Sequence, residues 1–202
     1  INNTVLTKVK FEKIKSIQIS GLNQNQNINL QESIEELNLK NIFFLNKQAI
    51  SKIISSNTIV ESYEIFKKYP HTLDIKIKRT NFLAKINNNG KIFLIGSNGK
   101  LSDIKFSDKD LPFIFGKPKI DEFILLTNII ENSKFSLSEI KNLYFYPSKR
   151  WDLELKNNII LKLSKNHARL SLDQAYEILK DNNFDNIKVV DARIKNQIIL
   201  ND

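Results

Sequence analysis

Strict alternation of apolar and polar residues marks the clearest strand of the sequence, TLDIKIKR, in which Leu73, Ile75 and Ile77 share one side. Because successive side chains of a strand point to opposite faces, this period of two predicts a strand with one buried face. A shorter alternating segment, KIKSIQISG, ends at Gly21 and predicts a first strand followed by a turn. The segment TIVESYEIFKKYP predicts another strand, which ends where Pro70 fixes φ and lacks a backbone donor.

Two segments with apolar residues at helical spacing lie between the strand that ends at Gly21 and the strand TIVESYEIFKKYP. The first has an apolar stripe from Leu30 to Leu37, with Asn29 and Glu32 spaced nearly as a capping box. The second begins at Asn46, and its apolar residues then recur at i, i+3 and i+4. The resulting order, β-α-α-β-β, predicts two helices on one face of a small sheet. Its other face and one edge can then receive partners.

Two Asn-Gly pairs punctuate the next segment, FLAKINNNGKIFLIGSNGKLSDI, at Asn89-Gly90 and Asn98-Gly99. Asn-Gly between apolar segments predicts a two-residue hairpin turn, in which both central residues take positive φ. We therefore expect three strands in this segment.

The remaining sequence alternates helical and extended patterns. The segments DEFILLTNIIEN and SLDQAYEILKDNNF predict helices, the second of which ends at Asn182 and Asn183. At least two strands are expected about a turn at Asn157 and Asn158. The final segment, VVDARIKNQIIL, predicts a strand that runs almost to the C-terminus and lies at the edge of a sheet.

These patterns together predict an α+β chain with two domains. A βααββ domain is expected over residues 13–82, and a mostly antiparallel β domain with two packed helices over residues 83–202. The length of 202 residues and the apolar fraction of 41% are sufficient for such a chain to bury its own cores.

The net charge of +9 comes from 31 Lys and Arg against 22 Asp and Glu. A basic balance suggests nucleic acid, an anionic membrane surface or acidic partners. However, nearly all the cations are lysines scattered among acidic residues. The abundance of Asn, Ile and Phe also indicates AT-rich codons as a source of the lysines. Nucleic acid is therefore not predicted as a partner, because its grooves more often show Arg and aromatic residues on one face.

Metal, cofactor and catalytic chemistry are not predicted from this sequence. The chain has no Cys, so disulfides and thiolate metal sites are excluded, and its two His residues are far apart. We recognise no catalytic motif and expect a protein that is not an enzyme and has no small-molecule substrate. There is no run of about 18 apolar residues. Because the sequence starts at Ile1 and not at Met, we expect a fragment that a targeting or anchoring segment precedes.

Several single residues have competing interpretations. Trp151 could contact a partner, but a Trp in an alternating strand is more often part of the core. Asp152 and Glu154 could act as paired carboxylates, although a solvated strand face is the simpler interpretation. His71 and His167 lie beside predicted turns and are expected to be exposed.

The first half of the chain resembles a POTRA domain. The resemblance rests on Ile17, Ile19 and Gly21, on the segment NIFFLNKQAI, and on TIVESYEIFKKYPHTLDIKI. The last segment has a Val, a strand and an aromatic-Pro turn before the pattern tL-x-I-x-I. POTRA modules are polypeptide-interaction modules of bacterial envelope proteins that commonly bind by adding a strand to their sheet, so the resemblance implies this role here.

The succession of both halves, over residues 13–200, resembles the extracytoplasmic part of the FtsQ (DivIB) family of bacterial cell-division proteins. The matches are the pattern LP-x-x-x-G at Leu111, Pro112 and Gly116, the segment RWDLELKNNIILKL, and a D-x-R pattern at Asp191 and Arg193. One segment departs from the family: the junction between the domains usually reads Glu-Arg-x-Pro-x-Ala and here reads RTNFLA.

The resemblance implies a non-enzymatic scaffold of the division machinery, whose last strand receives a strand from FtsB, paired with FtsL. Mapped onto this sequence, the partner-binding residues are Arg193, Ile194, Lys195, Asn196, Gln197, Ile198 and Ile199, with further basic contacts at Lys149 and Arg150. It also implies one transmembrane helix before Ile1, in the inner membrane, with this region in the periplasm and concentrated at the septum. The POTRA domain would contact other divisome membrane proteins.

Other interpretations remain open at this point. Asp191 and Arg193 are two apart on a predicted strand and so share a face. They form either a surface ion pair of little consequence or a contact between Arg193 and an acidic group of a partner. POTRA domains also occur in proteins of envelope assembly and secretion, which is the alternative function. Nucleic-acid binding is suggested by charge alone.

Overall fold

The computed structural model describes residues 13–40, 42–103, 110–180 and 187–201. The chain divides into two compact units between Thr80 and Asn81. We call them the first unit and the second unit. The boundary predicted from the sequence, after residue 82, stays a prediction.

The secondary structure follows in chain order. The strands and helices of the first unit are β1 (Ser16–Ser20), α1 (Gln24–Glu35), α2 (Lys47–Ser56), β2 (Val60–Lys68) and β3 (Thr72–Arg79). Those of the second unit are β4 (Phe82–Asn88), β5 (Lys91–Gly96), β6 (Leu101–Ser102), β7 (Phe113–Phe115), α3 (Ile120–Glu131), a 3-10 turn (Leu137–Glu139), β8 (Ile140–Phe145), β9 (Trp151–Leu155), β10 (Ile160–Leu163), α4 (Ala168–Lys180), β11 (Val189–Ala192) and β12 (Ile199–Asn201).

The first unit is a three-stranded sheet in the order β1-β3-β2, with β3 parallel to β1 and antiparallel to β2. The alternating residues Leu73, Ile75 and Ile77 face a core that also contains Ile34 of α1 and Ile50 of α2. The predicted βααββ order is confirmed. Burial of this apolar face against two helices is what stabilises the sheet, because a sheet this small exposes too much surface alone.

The start of α1 differs from the sequence prediction. The N-cap is Asn23, whose Oδ1 accepts a hydrogen bond from the Gln26 backbone N–H at 2.9 Å, and Gln26 completes the capping box. Asn29 lies inside the helix, so its prediction as a cap is wrong. The first turn is uniformly polar, and apolar spacing therefore did not reveal it. The predicted start of α2 is confirmed, since Asn46 Oδ1 accepts from the Ala49 N–H at 3.1 Å.

The second unit is a nine-stranded sheet in the order β12-β11-β10-β9-β8-β7-β4-β5-β6. Five of its strand pairs are antiparallel and three are parallel, which confirms a mostly antiparallel sheet. Helices α3 and α4 pack on the face that carries Trp151, Leu153 and Leu161, and Phe123 and Leu172 extend the core from the helices. Trp151 is 8% exposed, so its prediction as a core residue is confirmed. The predicted helix end at Asn182 and Asn183 lies outside the described residues.

The two Asn-Gly turns differ from each other. At the first, Asn89 and Gly90 have φ of 53° and 83°, as the hairpin prediction requires. At the second, only Gly99 has positive φ, so the prediction for Asn98 is wrong. Here the Asn98 Oδ1 accepts a hydrogen bond from the Lys100 N–H at 3.0 Å. Such a side-chain turn lets Asn98 keep ordinary backbone angles.

The two histidines occupy different environments. His167 is exposed, as predicted. His71 is half-buried, because its carbonyl oxygen accepts a hydrogen bond from the Lys15 N–H at 2.9 Å and holds the β2–β3 turn against the start of β1. The expectation that His71 is exposed is therefore wrong.

Candidate protein-interaction site

The C-terminal segment forms a hairpin, where the sequence predicted one continuous strand. β11 ends at Ala192, and β12 begins at Ile199 and returns antiparallel to it. Between them Asn196 has a φ of 62°, and the Gln197 N–H donates to the Ile194 carbonyl oxygen at 3.2 Å. Asn tolerates the left-handed region better than most residues, and so it permits the reversal. The prediction of a strand through Arg193–Ile199 is wrong for all but its last residue.

This hairpin makes β12 the terminal strand of the sheet. The Ile160 N–H donates to the Lys188 carbonyl oxygen at 2.8 Å, so this carbonyl and, two residues on, the backbone groups of Val190 face β10. The Lys188 N–H instead donates to the Asn201 carbonyl oxygen of β12 at 3.0 Å, so that carbonyl faces β11. By alternation, the backbone groups of Val189 and Asp191 face β12, where their register partners are Asn201 and Ile199. The N–H and C=O of Leu200, which lie between these partners, therefore point away from the sheet. They are the hydrogen-bonding groups with which an added strand would pair.

Side chains along this edge alternate between the core and the surface. Ile198 and Leu200 pack against the core of the second unit. Ile199 is 44% exposed, and Ile194, in the turn, is 55% exposed. The edge thus offers apolar contacts beside its free backbone groups.

A row of charged residues crosses the face of the sheet opposite the two helices. Asp152 of β9 and Asp191 of β11 are both register partners of Lys162 on β10. Two arginines lie beside the row: Arg150 Nε is 3.0 Å from Asp152 Oδ1, and Arg193 Nη2 is 2.5 Å from Asp191 Oδ2. The register partner of Asp191 on the terminal strand β12 is the apolar Ile199. Cations and anions therefore alternate as far as β11, and an apolar side chain follows at the free edge.

The Asp191–Arg193 contact is an ion pair within the chain. Hydrogen bonds from Arg193 hold the pKa of Asp191 below its ordinary value, and the same contact raises the pKa of Arg193. Of the two interpretations drawn from the sequence, the ion pair is confirmed. The Arg193 side chain remains 45% exposed, so a partner carboxylate could share its guanidinium, and this second role stays a prediction.

Lys149 and Arg150, which the sequence grouped as one basic contact, point to different faces. Lys149 has a φ of 64°, and its Nζ lies 3.4 Å from Glu122 Oε1 on α3. It borders a cavity of about 170 Å³ between α3, α4 and Trp151. Arg150 instead lies over the ring of Tyr146, 4.4 Å from its centroid, and pairs with Asp152. Only Arg150 shares the face of Arg193.

Asp152 and Glu154 do not form the solvated strand face that the sequence suggested. Asp152 is 2% exposed. Glu154 accepts hydrogen bonds from Asn142 Nδ2 at 2.8 Å and Tyr144 Oη at 2.7 Å, and Lys141 Nζ lies 2.9 Å from its second oxygen. The alternation of β9 could not reveal these partners, because they come from β8, whose register with β9 is set by the tertiary fold.

This network shifts the pKa values of both acids within it. The donors Asn142, Lys141 and Tyr144 lower the pKa of Glu154 to about 2. The hydrogen bond to Glu154, followed by burial, raises the pKa of Tyr144 to about 12. A charged Glu154 and a neutral Tyr144 are therefore the stable pair, and nothing in this arrangement favours proton transfer near neutral pH.

We expect Glu154→Gln to lower the free energy of unfolding at neutral pH by about 2 kcal/mol. A carboxyl with a depressed pKa stabilises the fold above its unfolded value of about 4.5, and this stability is lost as the pH falls towards 2. The raised pKa of Tyr144 adds stability below about 10 that is lost towards 12. Urea unfolding between pH 2 and 11, followed by Trp151 fluorescence, measures the free energy of unfolding as a function of pH. We expect its decrease at acid pH and its decrease at alkaline pH both to be smaller in the variant. An unchanged decrease at acid pH would show that another carboxyl causes it.

Ser171, which no sequence pattern singled out, holds the end of β11 through a buried hydrogen bond. Its Oγ donates to the Ala192 carbonyl oxygen at 2.7 Å and accepts from the Ser164 N–H at 3.1 Å. The side chain is 2% exposed. It therefore satisfies buried backbone groups at the ends of both β10 and β11, the strands that position β12.

Within residues 13–40, 42–103, 110–180 and 187–201, we find no helix long and apolar enough to cross a membrane. The same residues contain no group of three or more His, Asp or Glu arranged to hold a metal ion.

Comparison with known proteins finds a family match for each of the two units. The POTRA domain of the FtsQ type matches residues 12–78. The C-terminal domain of the cell division proteins FtsQ and DivIB matches residues 77–193, more than half of the chain. The second match ends at Arg193, so β12 lies beyond it.

Individual relatives carry the same names. Cell division protein DivIB of Clostridium acetobutylicum is 31% identical over 105 residues, which are 50% of this chain and 41% of that protein. Cell division protein FtsQ of Rickettsia conorii is 25% identical over 201 residues, 95% of this chain and 72% of that protein. The extracytoplasmic domain of DivIB from Geobacillus stearothermophilus has a TM-score of 0.37 and 17% identity, covering 52% of this chain and 97% of that one.

The chain spans less than half the length of DivIB from Clostridium acetobutylicum and from Clostridium botulinum. The match of the FtsQ/DivIB C-terminal domain to residues 77–193 shows the family, and the POTRA match to residues 12–78 agrees with it. The chain belongs to the FtsQ/DivIB family of cell division proteins.

Proposed function

We propose that the second unit binds the FtsB–FtsL pair by accepting a strand of FtsB at the free edge of β12. The observation that carries this proposal is the outward direction of the Leu200 N–H and C=O on the terminal strand of the sheet. Strand addition takes its affinity from such main-chain groups and its selectivity from the side chains beside them. The chain then acts as a scaffold in divisome assembly and needs no catalytic group.

The surroundings of the edge support the same partner chemistry. Ile194 and Ile199 provide exposed apolar contacts, and Arg193 lies at the start of the turn that leads to β12. The proposed contact surface therefore comprises β12 and the turn before it, together with Arg150 on the same face of the sheet. Lys149 lies on the other face and would meet only a partner that also reaches α3.

Membership of the family supports a proposal for the location. We propose that both units lie outside the cytoplasm, in the periplasm at the division septum, and that a helix upstream of the first unit holds them to the inner membrane. The first unit would then contact other membrane proteins of the divisome. Protease protection in spheroplasts, with and without permeabilisation, tests this placement.

Replacing Leu200 with proline is expected to weaken binding of the FtsB–FtsL pair tenfold or more. Proline removes the outward N–H and places a ring where the added strand must lie, but the inward hydrogen bonds of Ile199 and Asn201 remain. A lost main-chain hydrogen bond costs about 1 kcal/mol, and the steric conflict adds to it. Isothermal titration of the chain with the purified pair measures the effect.

The matched control is Leu200→Ala, which shortens the same side chain and keeps the N–H. Both variants lose the core contact of Leu200, so only the difference between them reports on the outward donor. Equal affinities for the two variants would remove the edge of β12 from the site. Unfolding curves of both variants show whether the hairpin itself is retained.

A further inference from the structure

Three aromatic side chains project from one end of the first unit. Phe43 and Phe44, in the loop between α1 and α2, are 52% and 76% exposed. Tyr69, in the turn between β2 and β3, is 59% exposed, and its ring centroid lies 5.1 Å from that of Phe43. The two loops thus meet in one apolar patch, which we call the aromatic tip. Contiguous exposed apolar patches, unlike single exposed residues, mark interaction sites.

The sequence at the aromatic tip is mainly basic. The loop between α1 and α2 begins at Glu36, and residues 37–60, which hold the rest of that loop, contain three lysines and no Asp or Glu. Residues 65–73 contain two lysines and no acid. Lys40 and Lys47 flank the phenylalanines, and Lys67 and Lys68 precede Tyr69. The next acid along the chain, Asp74, is 8% exposed and already paired with Lys68 at 2.7 Å.

We propose that the aromatic tip docks on an anionic lipid surface, with the three rings among the headgroups and the lysines against the lipid phosphates. Tyr, whose ring has a polar end, concentrates at the interface between hydrocarbon and water. Phe is among the apolar residues that membrane-surface segments bury at the same depth. Lysines are attracted to the negative surface potential of such membranes. Because Lys68 is already paired with Asp74, the lysines expected to contact the phosphates are Lys40, Lys47 and Lys67. The combination of exposed loops, apolar rings and mainly positive charge fits a lipid surface better than the groove of a protein partner. This site lies in the first unit and does not depend on the edge of β12.

Flotation with lipid vesicles tests the proposal directly. The 202-residue chain is mixed with vesicles of phosphatidylcholine alone or with 30% phosphatidylglycerol, a lipid ratio chosen at roughly the anionic content that polybasic segments detect. We expect binding to the anionic vesicles that falls as salt rises, and little binding to the neutral ones. No binding to anionic vesicles at low salt, or equal binding to both lipids, would overturn the proposal.

Two double variants distinguish vesicle binding by the aromatic tip from binding by exposed apolar side chains in general. Phe43→Ser with Phe44→Ser is expected to reduce the partition coefficient about tenfold, because two exposed rings no longer enter the interface. The control is Ile92→Ser with Leu125→Ser, which removes two exposed apolar side chains of the second unit, 56% and 63% exposed, and should leave binding unchanged. An equal loss in both pairs would refute a localised site.

Two further measurements test whether the Phe44 ring enters the lipid interface and how much the lysines contribute to vesicle binding. Phe44→Trp should keep vesicle binding, and its fluorescence should shift to shorter wavelength when anionic vesicles are added, whereas buried Trp151 should not respond. Lys47→Gln with Lys67→Gln should reduce binding several-fold and lessen its salt dependence. Unchanged emission of Phe44→Trp in bound protein, or an unchanged salt dependence of the lysine variant, would refute the docking geometry.

Discussion

Replacing Gly21 with alanine should unfold the first unit and leave the second folded. Gly21 has a φ of +107°, and an added Cβ would lie 1.8 Å from the carbonyl oxygen of Ile77. Ile77 belongs to the central strand β3, so relieving the conflict requires the connection between β1 and α1 to move away from the sheet. Together with the strain of positive φ for a residue with a Cβ, we expect a loss of at least about 4 kcal/mol in the free energy of unfolding.

The matched control for this prediction is Gly90→Ala. Gly90 also has positive φ, +83°, but a Cβ there would meet nothing within 4 Å. Gly90→Ala therefore measures the cost of backbone strain alone, about 1–2 kcal/mol, without the collision with β3 that the Gly21 variant adds. Circular dichroism follows both units, and fluorescence of Trp151, the only Trp of the chain, follows the second. Equal destabilisation by the two substitutions would show that the contact with Ile77 is relieved without cost.

The strongest sequence patterns gave the correct elements. Strand β3 alternates without interruption, and α2 has both an N-cap residue and an apolar stripe, so local pattern and tertiary environment favour the same structure. The family resemblance supplied the order of both units. Helix α1 was placed correctly, but its start at Asn23 was missed, because polar residues capable of capping occupy several successive positions there.

The C-terminal hairpin shows why the candidate site was only partly predictable. The segment from Arg193 to Ile199 contains neither Gly nor Pro, and its isoleucines favour a strand. Asn196 was the available signal for a turn, since Asn accepts positive φ. What decides the reversal is that Ile198 and Leu200 pack against the core of the second unit, which no local pattern contains. The edge strand available to a partner is therefore β12, and not the segment from Arg193 to Ile199 that the sequence predicted.

Charged residues predicted as partner contacts turn out to stabilise the fold as well. Arg193 is paired with Asp191, and Arg150 with Asp152. A loss of binding after substitution of either arginine would therefore have two possible causes. The pairs differ in how far the carboxylate is buried: the side chain of Asp152 is 3% exposed and that of Asp191 is 10% exposed. The larger effect on stability is thus expected at Arg150.

Arg150→Ala should lower the free energy of unfolding by about 3 kcal/mol. Its Nε and Nη2 lie 3.0 and 3.3 Å from the two carboxylate oxygens of Asp152, and removing them leaves a buried charge with Lys162 as its neighbour in the register. Breaking a buried pair costs 3–5 kcal/mol, and the partial exposure of Arg150, 25%, places this pair near the lower limit. Urea unfolding at pH 7, followed through Trp151, measures the loss.

The double variant Arg150→Ala with Asp152→Asn separates the two roles of Arg150. A neutral Asn is less costly to bury than an unpaired carboxylate, so most of the lost stability should return. If Arg150 also contacts the partner, affinity for the FtsB–FtsL pair should stay reduced in this restabilised variant, because the guanidinium is still absent. Recovery of both stability and affinity would assign Arg150 to the fold alone and confine the proposed contact surface to β12 and the turn that begins at Arg193.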